Sequence, residues 1–238
     1  MIKLFQFHPA FGLPNPSPFC LKTETYLKMV NLDYEVVSTV NMSRTPKGKM
    51  PYIDDQGNGI ADSGFIIKYL EKKYPVGLDT HLSNSEKAVA FSITRMLEEH
   101  YYWTLVYNRW IDDSNWPLVK KVYFGGMPLL IRDVVPAMIR KIVGRDLKGH
   151  GMARHSKDEI YDLGVDDVNA LAAFLENKEF VMGDKVTNVD ATAYAFIACT
   201  LHFPKSSPMV EAVKAHSNLR AYYKKMTTKY YPDTVLAI

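Results

Sequence analysis

Ser17 and Cys20 stand three apart in Asn15-Pro16-Ser17-Pro18-Phe19-Cys20-Leu21-Lys22, a CxxC frame with serine in the first place. A thiol in the first turn of a helix meets free backbone N–H groups, which favour a thiolate. A hydroxyl at the same helix end can donate a hydrogen bond to a thiolate and so favours the charged form. The chemistry on offer is therefore thiol chemistry: Ser17 stabilising a bound thiolate, or redox exchange through Cys20. As ordinary structure, the same residues read as a helix cap and a packed cysteine.

The flanking elements must hold this frame. Ile2 to Phe7 is apolar and aromatic and predicts a buried strand. His8 to Pro16 is a Pro/Gly-rich loop, long for a strand-to-helix link. Ser17 suits an N-cap and Pro18 the first helical position. Tyr34 to Val40 predicts a second strand, completing a βαβ unit. Asn41 to Lys49 is polar and basic, with room only for a short irregular helix. Pro51 opens a third strand, where its missing N–H is tolerated. Asp54 to Gly59 reads as a turn and Ile60-Ala61 as a short fourth strand. Asp62-Ser63 cap a helix from Gly64 to Tyr74, with Phe65, Ile66, Tyr69 and Leu70 as its apolar stripe.

The order βαβ then ββα is the thioredoxin-like arrangement, expected over residues 1–76. After a linker over 76–83, residues 84–238 read as all-helical. Val89, Ile93, Met96 and Leu97 give the first helix its inward period. It runs on through Glu98 to Trp110, the most aromatic stretch of the chain. Tyr102, Trp103, Tyr107 and Trp110 are candidates for the wall of an apolar substrate pocket, or for a thick helical core. Leu129 to Leu147 is another helix, in which Pro136 predicts a kink or a late start. Ser156 with Glu159 forms a capping box for a helix reaching Glu176, which Gly164 could split. Thr187 and Asp190 form an Asp-type box ahead of the apolar run Ala191 to Phe203, so Asp190 reads as structural. Ser207-Pro208 opens a further helix, and Asn218 to Lys229 is the last.

The composition narrows the class. The chain has 238 residues, 47% hydrophobic and 23% charged, with a formal net charge of +3. That charge is too small to imply nucleic acid. Two cysteines make no disulfide framework and fit a reducing, cytoplasmic compartment. Met1-Ile2-Lys3 leads into a strand and does not read as a signal peptide, and the most apolar stretch is too short to span a bilayer. His150 and His155 lack a third nearby ligand, so no metal site is expected. Arg140, Lys141, Arg145, Lys148, Arg154 and Lys157 read as a solvated basic face, with contact to anionic lipid as the alternative.

In combination, Ser17, Pro51 and Asp62-Ser63 resemble the amino-terminal domain of the glutathione S-transferase superfamily. Gly183-Asp184-Lys185-Val186-Thr187-Asn188-Val189-Asp190 resembles the capping segment of that family's helical domain. The stretches Ser17 to Thr25 and Gly149 to Ser156 are more similar to the failed-axon-connections and metaxin-like group. The resemblance implies an α/β thioredoxin-like N-terminal domain followed by an all-α C-terminal domain, and a cis bond before Pro51. Met50 would offer its backbone to the cysteinyl unit of glutathione. Asp62 and Ser63 would hold the γ-glutamyl end, and Lys47 or Lys49 would meet the glycyl carboxylate. A homodimer is implied as well. Three functions remain open. One is a glutathione-dependent transferase acting on a small electrophile with Ser17 stabilising the thiolate. The others are Cys20-dependent thiol redox chemistry, and a non-catalytic scaffold or assembly protein, since metaxins act in membrane-associated protein import.

Overall fold

The computed structural model describes residues 1–238, apart from the side chain of Arg44. Four strands, β1 (Ile2–Gln6), β2 (Tyr34–Ser38), β3 (Tyr52–Asp55) and β4 (Asn58–Ala61), form one sheet of order β2-β1-β3-β4. β1 runs parallel to β2 and antiparallel to β3, which pairs antiparallel with β4. The parallel pair needs a crossover, and α1 (Pro18–Met29) supplies it. A single 3₁₀ turn at Met42–Arg44 fills the polar stretch before β3. The β3–β4 hairpin is tighter than expected. Its turn is only Gln56-Gly57, both at positive φ, so pairing extends to Asn58 and Gly59.

α2 (Ser63–Lys73) starts at Asp62, whose Oδ1 accepts from the N–H groups of Gly64 and Phe65 at 3.0 and 3.2 Å. Its buried face is Ile66, Ile67 and Leu70. Phe65, expected inside, is 55% exposed and lies under the Lys47 ammonium, 4.1 Å from the ring centre. Ile66 and Leu70 are buried and Tyr69 packs against the core as expected, with Ile67 in place of Phe65.

The rest of the chain is helical, so the thioredoxin-like and all-α halves expected from the sequence are the ones found. α3 (Asn84–Arg95) opens on a capping box of Ser83 and Glu86. It continues without a break through a π-helical segment (Met96–Tyr101), the short α4 (Tyr102–Val106) and a second π-helical segment (Tyr107–Ile111). α5 (Trp116–Phe124) and α6 (Val134–His150) follow. Pro136 is the third residue of α6, which resolves it as a late start. Val134, Met138 and Ile142 of this helix face outward.

α7 (Lys157–Leu175) is not split at Gly164. A Cβ there would lie 2.5 Å from Met209 Sδ and 2.9 Å from Thr104 Oγ1, so this glycine permits a close helix crossing. α8 (Asn188–Leu201) is buried from Val189 to its end. Its first turn is held by Asp190, which accepts from Thr187 N, Thr187 Oγ1, Val181 N and Tyr222 OH at 2.8 to 3.0 Å. Asp190 is thus structural, as the sequence indicates. α9 (Pro208–Ala215) and α10 (Ser217–Tyr230) complete the fold.

The two halves share a wall. α1 lies between the sheet and α8, and its residues 20–27 are all buried. Tyr26 and Leu27 pack with Ile2, Leu4 and Ile53 of the sheet, while Leu21 belongs to the cluster around Phe196 of α8. Each such fully buried apolar side chain contributes about 2 kcal/mol. Polar links cross the same boundary. Lys22 of α1 pairs with Glu98, both buried. Asn188 donates from its backbone to Asp79 and from its side chain to Glu71, each at 2.8 Å.

Candidate functional site

The loop from β1 to α1 is ordered from within. Ala10 and Leu13 bridge each other across a turn at Phe11-Gly12, both at positive φ. Asn15 is fully buried. Its amide donates to the Phe7 carbonyl at 2.8 Å, and its Oδ1 accepts the Ser17 N–H at 3.0 Å. Ser17 occupies the N-cap position with extended backbone, but its hydroxyl accepts no helix N–H. The capping role expected of its side chain is therefore not performed. The hydroxyl is left half-buried at the mouth of α1, where anions are favoured.

Cys20 lies one turn further in, fully buried beside Met50, Tyr52 and Ala61. Burial pushes its thiol up to about 12, against the smaller pull of the Ser17 hydroxyl and the Phe7 backbone within hydrogen-bonding reach. A redox role requires an exposed cysteine of lowered pKa, and Cys20 is the reverse in both respects. Its sequence assignment as a catalytic thiol is corrected to a packed residue, because desolvation inside the α1–β3 cluster outweighs the field of the helix end. Cys199 is likewise buried with a raised pKa.

The peptide bond between Met50 and Pro51 is cis and immediately precedes β3. Asp62 has φ 82° and begins α2; Ser63 is buried behind it. The Asp62 carboxylate already accepts two helix N–H groups. Lys47 and Lys49 are both exposed, and Lys47 is drawn over Phe65 in the first turn of α2.

The four aromatic candidates all pack against one buried cluster, Val106, Leu147, Met152 and Ile160, and each also makes a ring contact of its own. Tyr102 meets Phe19 edge-on at 4.9 Å, which places it over the first turn of α1. Trp103 stacks on His150 at the end of α6, and Tyr107 meets Tyr161 of α7. Trp110 stacks on Tyr123 of α5, which in turn meets Phe11 of the β1–α1 loop. Trp103, Tyr107 and Trp110, four and three residues apart, follow one helical face, and Tyr102 makes the ring contact to α1. The basic residues are also partly committed. Arg140 bonds the carbonyls of Trp110 and Ile111 and the Asp113 carboxylate, and Lys157 pairs with Asp112.

One residue missed in the sequence is central. Arg109 is buried, and its two terminal nitrogens each donate at 2.5 Å, to the carbonyls of Pro16 and Cys199. It thereby ties the residue before Ser17 to α8. The available signal was a lone arginine among apolar neighbours at helical spacing from Leu105 and Tyr102. A separate hollow of about 400 Å³ lies beside Phe11, His202, Lys214 and the carboxy-terminal tail, away from Ser17.

Residues 18–115 match the family described as the glutathione S-transferase N-terminal domain, and residues 164–226 match the glutathione S-transferase C-terminal domain. The chain is similar to the isoprene-epoxide–glutathione S-transferase of Rhodococcus, at 31% identity over 97% of this chain and 99% of that protein. It is 34% identical to Failed axon connections of Drosophila melanogaster over 98% of its own length and 59% of the relative's. It is 24% identical to the mitochondrial outer membrane import complex protein METAXIN of Arabidopsis thaliana, covering 93% of this chain and 70% of that one. Among solved structures, the beta-etherase LigF from Sphingobium shares its fold, with a TM-score of 0.68 at 18% identity over 95% of this chain and 94% of that one. On the full-length match to the Rhodococcus relative and the two family domains, the chain belongs to the glutathione S-transferase superfamily.

Proposed function

We propose that this protein binds glutathione and transfers its thiolate to a small electrophile, with Ser17 as the thiolate-stabilising residue. The observation that carries the reading is the Ser17 hydroxyl, which stands at the mouth of α1 and is not consumed by capping. The Ser17 hydroxyl also lies within hydrogen-bonding reach of the buried Cys20 thiol. A hydroxyl donating to a thiolate favours the charged form and lowers the ligand's thiol pKa.

The peptide would lie against the Met50–Pro51 segment, with its γ-glutamyl carboxylate at the start of α2 near Asp62 and Ser63. Lys47 or Lys49, both exposed, would meet the glycyl carboxylate at the other end of the peptide. The thiol proton leaves to solvent, the sulfur attacks an electrophilic carbon, and the bond from that carbon to its leaving atom breaks as the C–S bond forms. Tyr102 and Phe19 supply an apolar surface beside the sulfur. The electrophile class follows the Rhodococcus relative, whose name specifies an epoxide.

Calorimetry with millimolar glutathione tests the binding, and the thiol pKa of bound glutathione in Ser17→Ala tests the chemistry. Binding retained with a raised pKa and a reduced rate is expected; no binding removes the reading. A second reading, a non-catalytic assembly protein, is favoured by the METAXIN relative and by the commitment of Asp62 to its own helix cap. It predicts no heat on glutathione titration.

A further inference from the structure

Arg109 is 6% exposed, and its guanidinium keeps its charge at any physiological pH. Its terminal nitrogens take two carbonyl oxygens, while Nε is buried with no partner. Among the described residues, no carboxylate pairs with it. Carbonyl groups solvate a cation but do not neutralise it, and buried charges in proteins are ordinarily paired. The interior beside Pro16 therefore holds an uncompensated positive charge.

One of its two carbonyl contacts adjoins Ser17, and the other lies on α8. The Pro16 carbonyl it grips belongs to the peptide group whose nitrogen is that of Ser17, so guanidinium and hydroxyl flank the same few atoms. The Phe203 ring lies 5.7 Å from the guanidinium carbon and covers it. The field extends to Tyr102, above the first turn of α1, and to Tyr123 and Cys199, lowering each of them against the larger effect of burial.

We propose that Arg109 is the buried counter-charge for a thiolate held at Ser17. Its charge acts through space, together with the start of α1, to lower the pKa of a thiol placed there. This deepens the transferase reading and rests on it for the identity of the thiol. Arg109 touches no reacting atom in this account. The competing role is purely mechanical: a two-pronged tie between the Ser17 loop and α8, which any loss of geometry would disturb.

Ser17→Cys in a Cys20→Ala background places a thiol at the site without any ligand and without completing a CxxC pair, and the buried Cys199 leaves a silent background near neutral pH. The introduced thiol is titrated by its thiolate absorbance and by its rate of reaction with iodoacetamide. Its pKa is expected about 1.5 units or more below the free-cysteine value of about 8.5. Adding Arg109→Gln should raise it by about 1 unit or more. Adding Arg109→Lys, which keeps the charge and loses the two-pronged bridge, should leave it within about 0.5 unit of the starting value. No change with Arg109→Gln, or a rise with Arg109→Lys as large as with Arg109→Gln, overturns the proposal. If Arg109→Gln does not fold, Arg109→Lys decides alone: a depressed pKa supports the charge and an ordinary one overturns it. Absence of glutathione binding by the unsubstituted chain would remove the transferase reading and leave this titration standing.

Discussion

The Asn15 side chain accepts the Ser17 N–H at 3.0 Å while donating to the Phe7 carbonyl at 2.8 Å, so one buried amide spans the loop from β1 to α1. Asn15→Ala would take the partner from both backbone groups, which lie in a part-buried loop. Each such group costs about 1–3 kcal/mol. A loss of about 2–4 kcal/mol is expected by urea denaturation, with weakened glutathione binding as the Ser17 loop relaxes. A variant within about 0.5 kcal/mol of the parent would show that the loop is held by other contacts.

Lys22 and Glu98 make the buried ion pair between the halves, and Arg95 stands 3.8 Å from Glu98 on the outer side. The two single substitutions should therefore be unequal. Glu98→Leu strands the Lys22 ammonium in the interior and is expected to cost about 3–5 kcal/mol. Lys22→Met leaves Glu98 with Arg95 and should cost less. The double variant should recover most of the loss, which a double-mutant cycle in urea measures directly.

Burial pushes the Asp167 carboxyl up to about 6, opposed by its hydrogen bond with His100 and reinforced by Asp166. A raised acid pKa means the folded chain binds more protons than the unfolded chain between about pH 4 and 6. Stability then falls as pH rises through that window, by about 3 kcal/mol at most. Asp167→Asn keeps an acceptor for His100 and removes the ionisation. It should gain about 1–3 kcal/mol at pH 7 and flatten the profile of unfolding free energy between pH 4 and 6. An unchanged slope would place the proton elsewhere.

Cys20 should behave as a small apolar side chain. Native protein at pH 8 is expected to show no iodoacetamide labelling at Cys20, and full labelling after unfolding. Cys20→Ala should lower stability by about 1–2 kcal/mol through the space it leaves, and retain transferase turnover. Loss of all turnover in that variant would restore a chemical role to the thiol.

The sequence made the architecture legible where punctuation was local. Pro51, the Asp62 cap, the Ser156–Glu159 box and the Thr187–Asp190 box each mark an element start through the residue itself or neighbours two to three away, and α2 and α8 begin one and three residues earlier than expected, at Ser63 and Asn188. Distances across the fold were not legible. Ser17 reads as a cap because its type and place are right, but its hydroxyl accepts no helix N–H and lies within hydrogen-bonding reach of the Cys20 thiol instead. Tyr102, Trp103, Tyr107 and Trp110 do edge one buried cluster, but their ring partners Phe19, His150, Tyr161 and Tyr123 come from four distant segments that spacing along the chain does not reveal. Arg109 was hidden because a charged residue in a helix is usually exposed. Only the meeting of Pro16 with Cys199, 183 residues apart, buries it.

α1 is covered by the sheet on one side and by α8 on the other. The boundary between thioredoxin-like and helical halves is thus a change of architecture but not a line of cleavage. A fragment ending before α3 would carry the correct strand order and present Leu21 and its neighbours to water. It would be expected to aggregate, and exchange of helical halves between relatives would succeed only when the α1 face travels with them. Modularity in this chain runs through α8, which is as much a part of the first half as of the second.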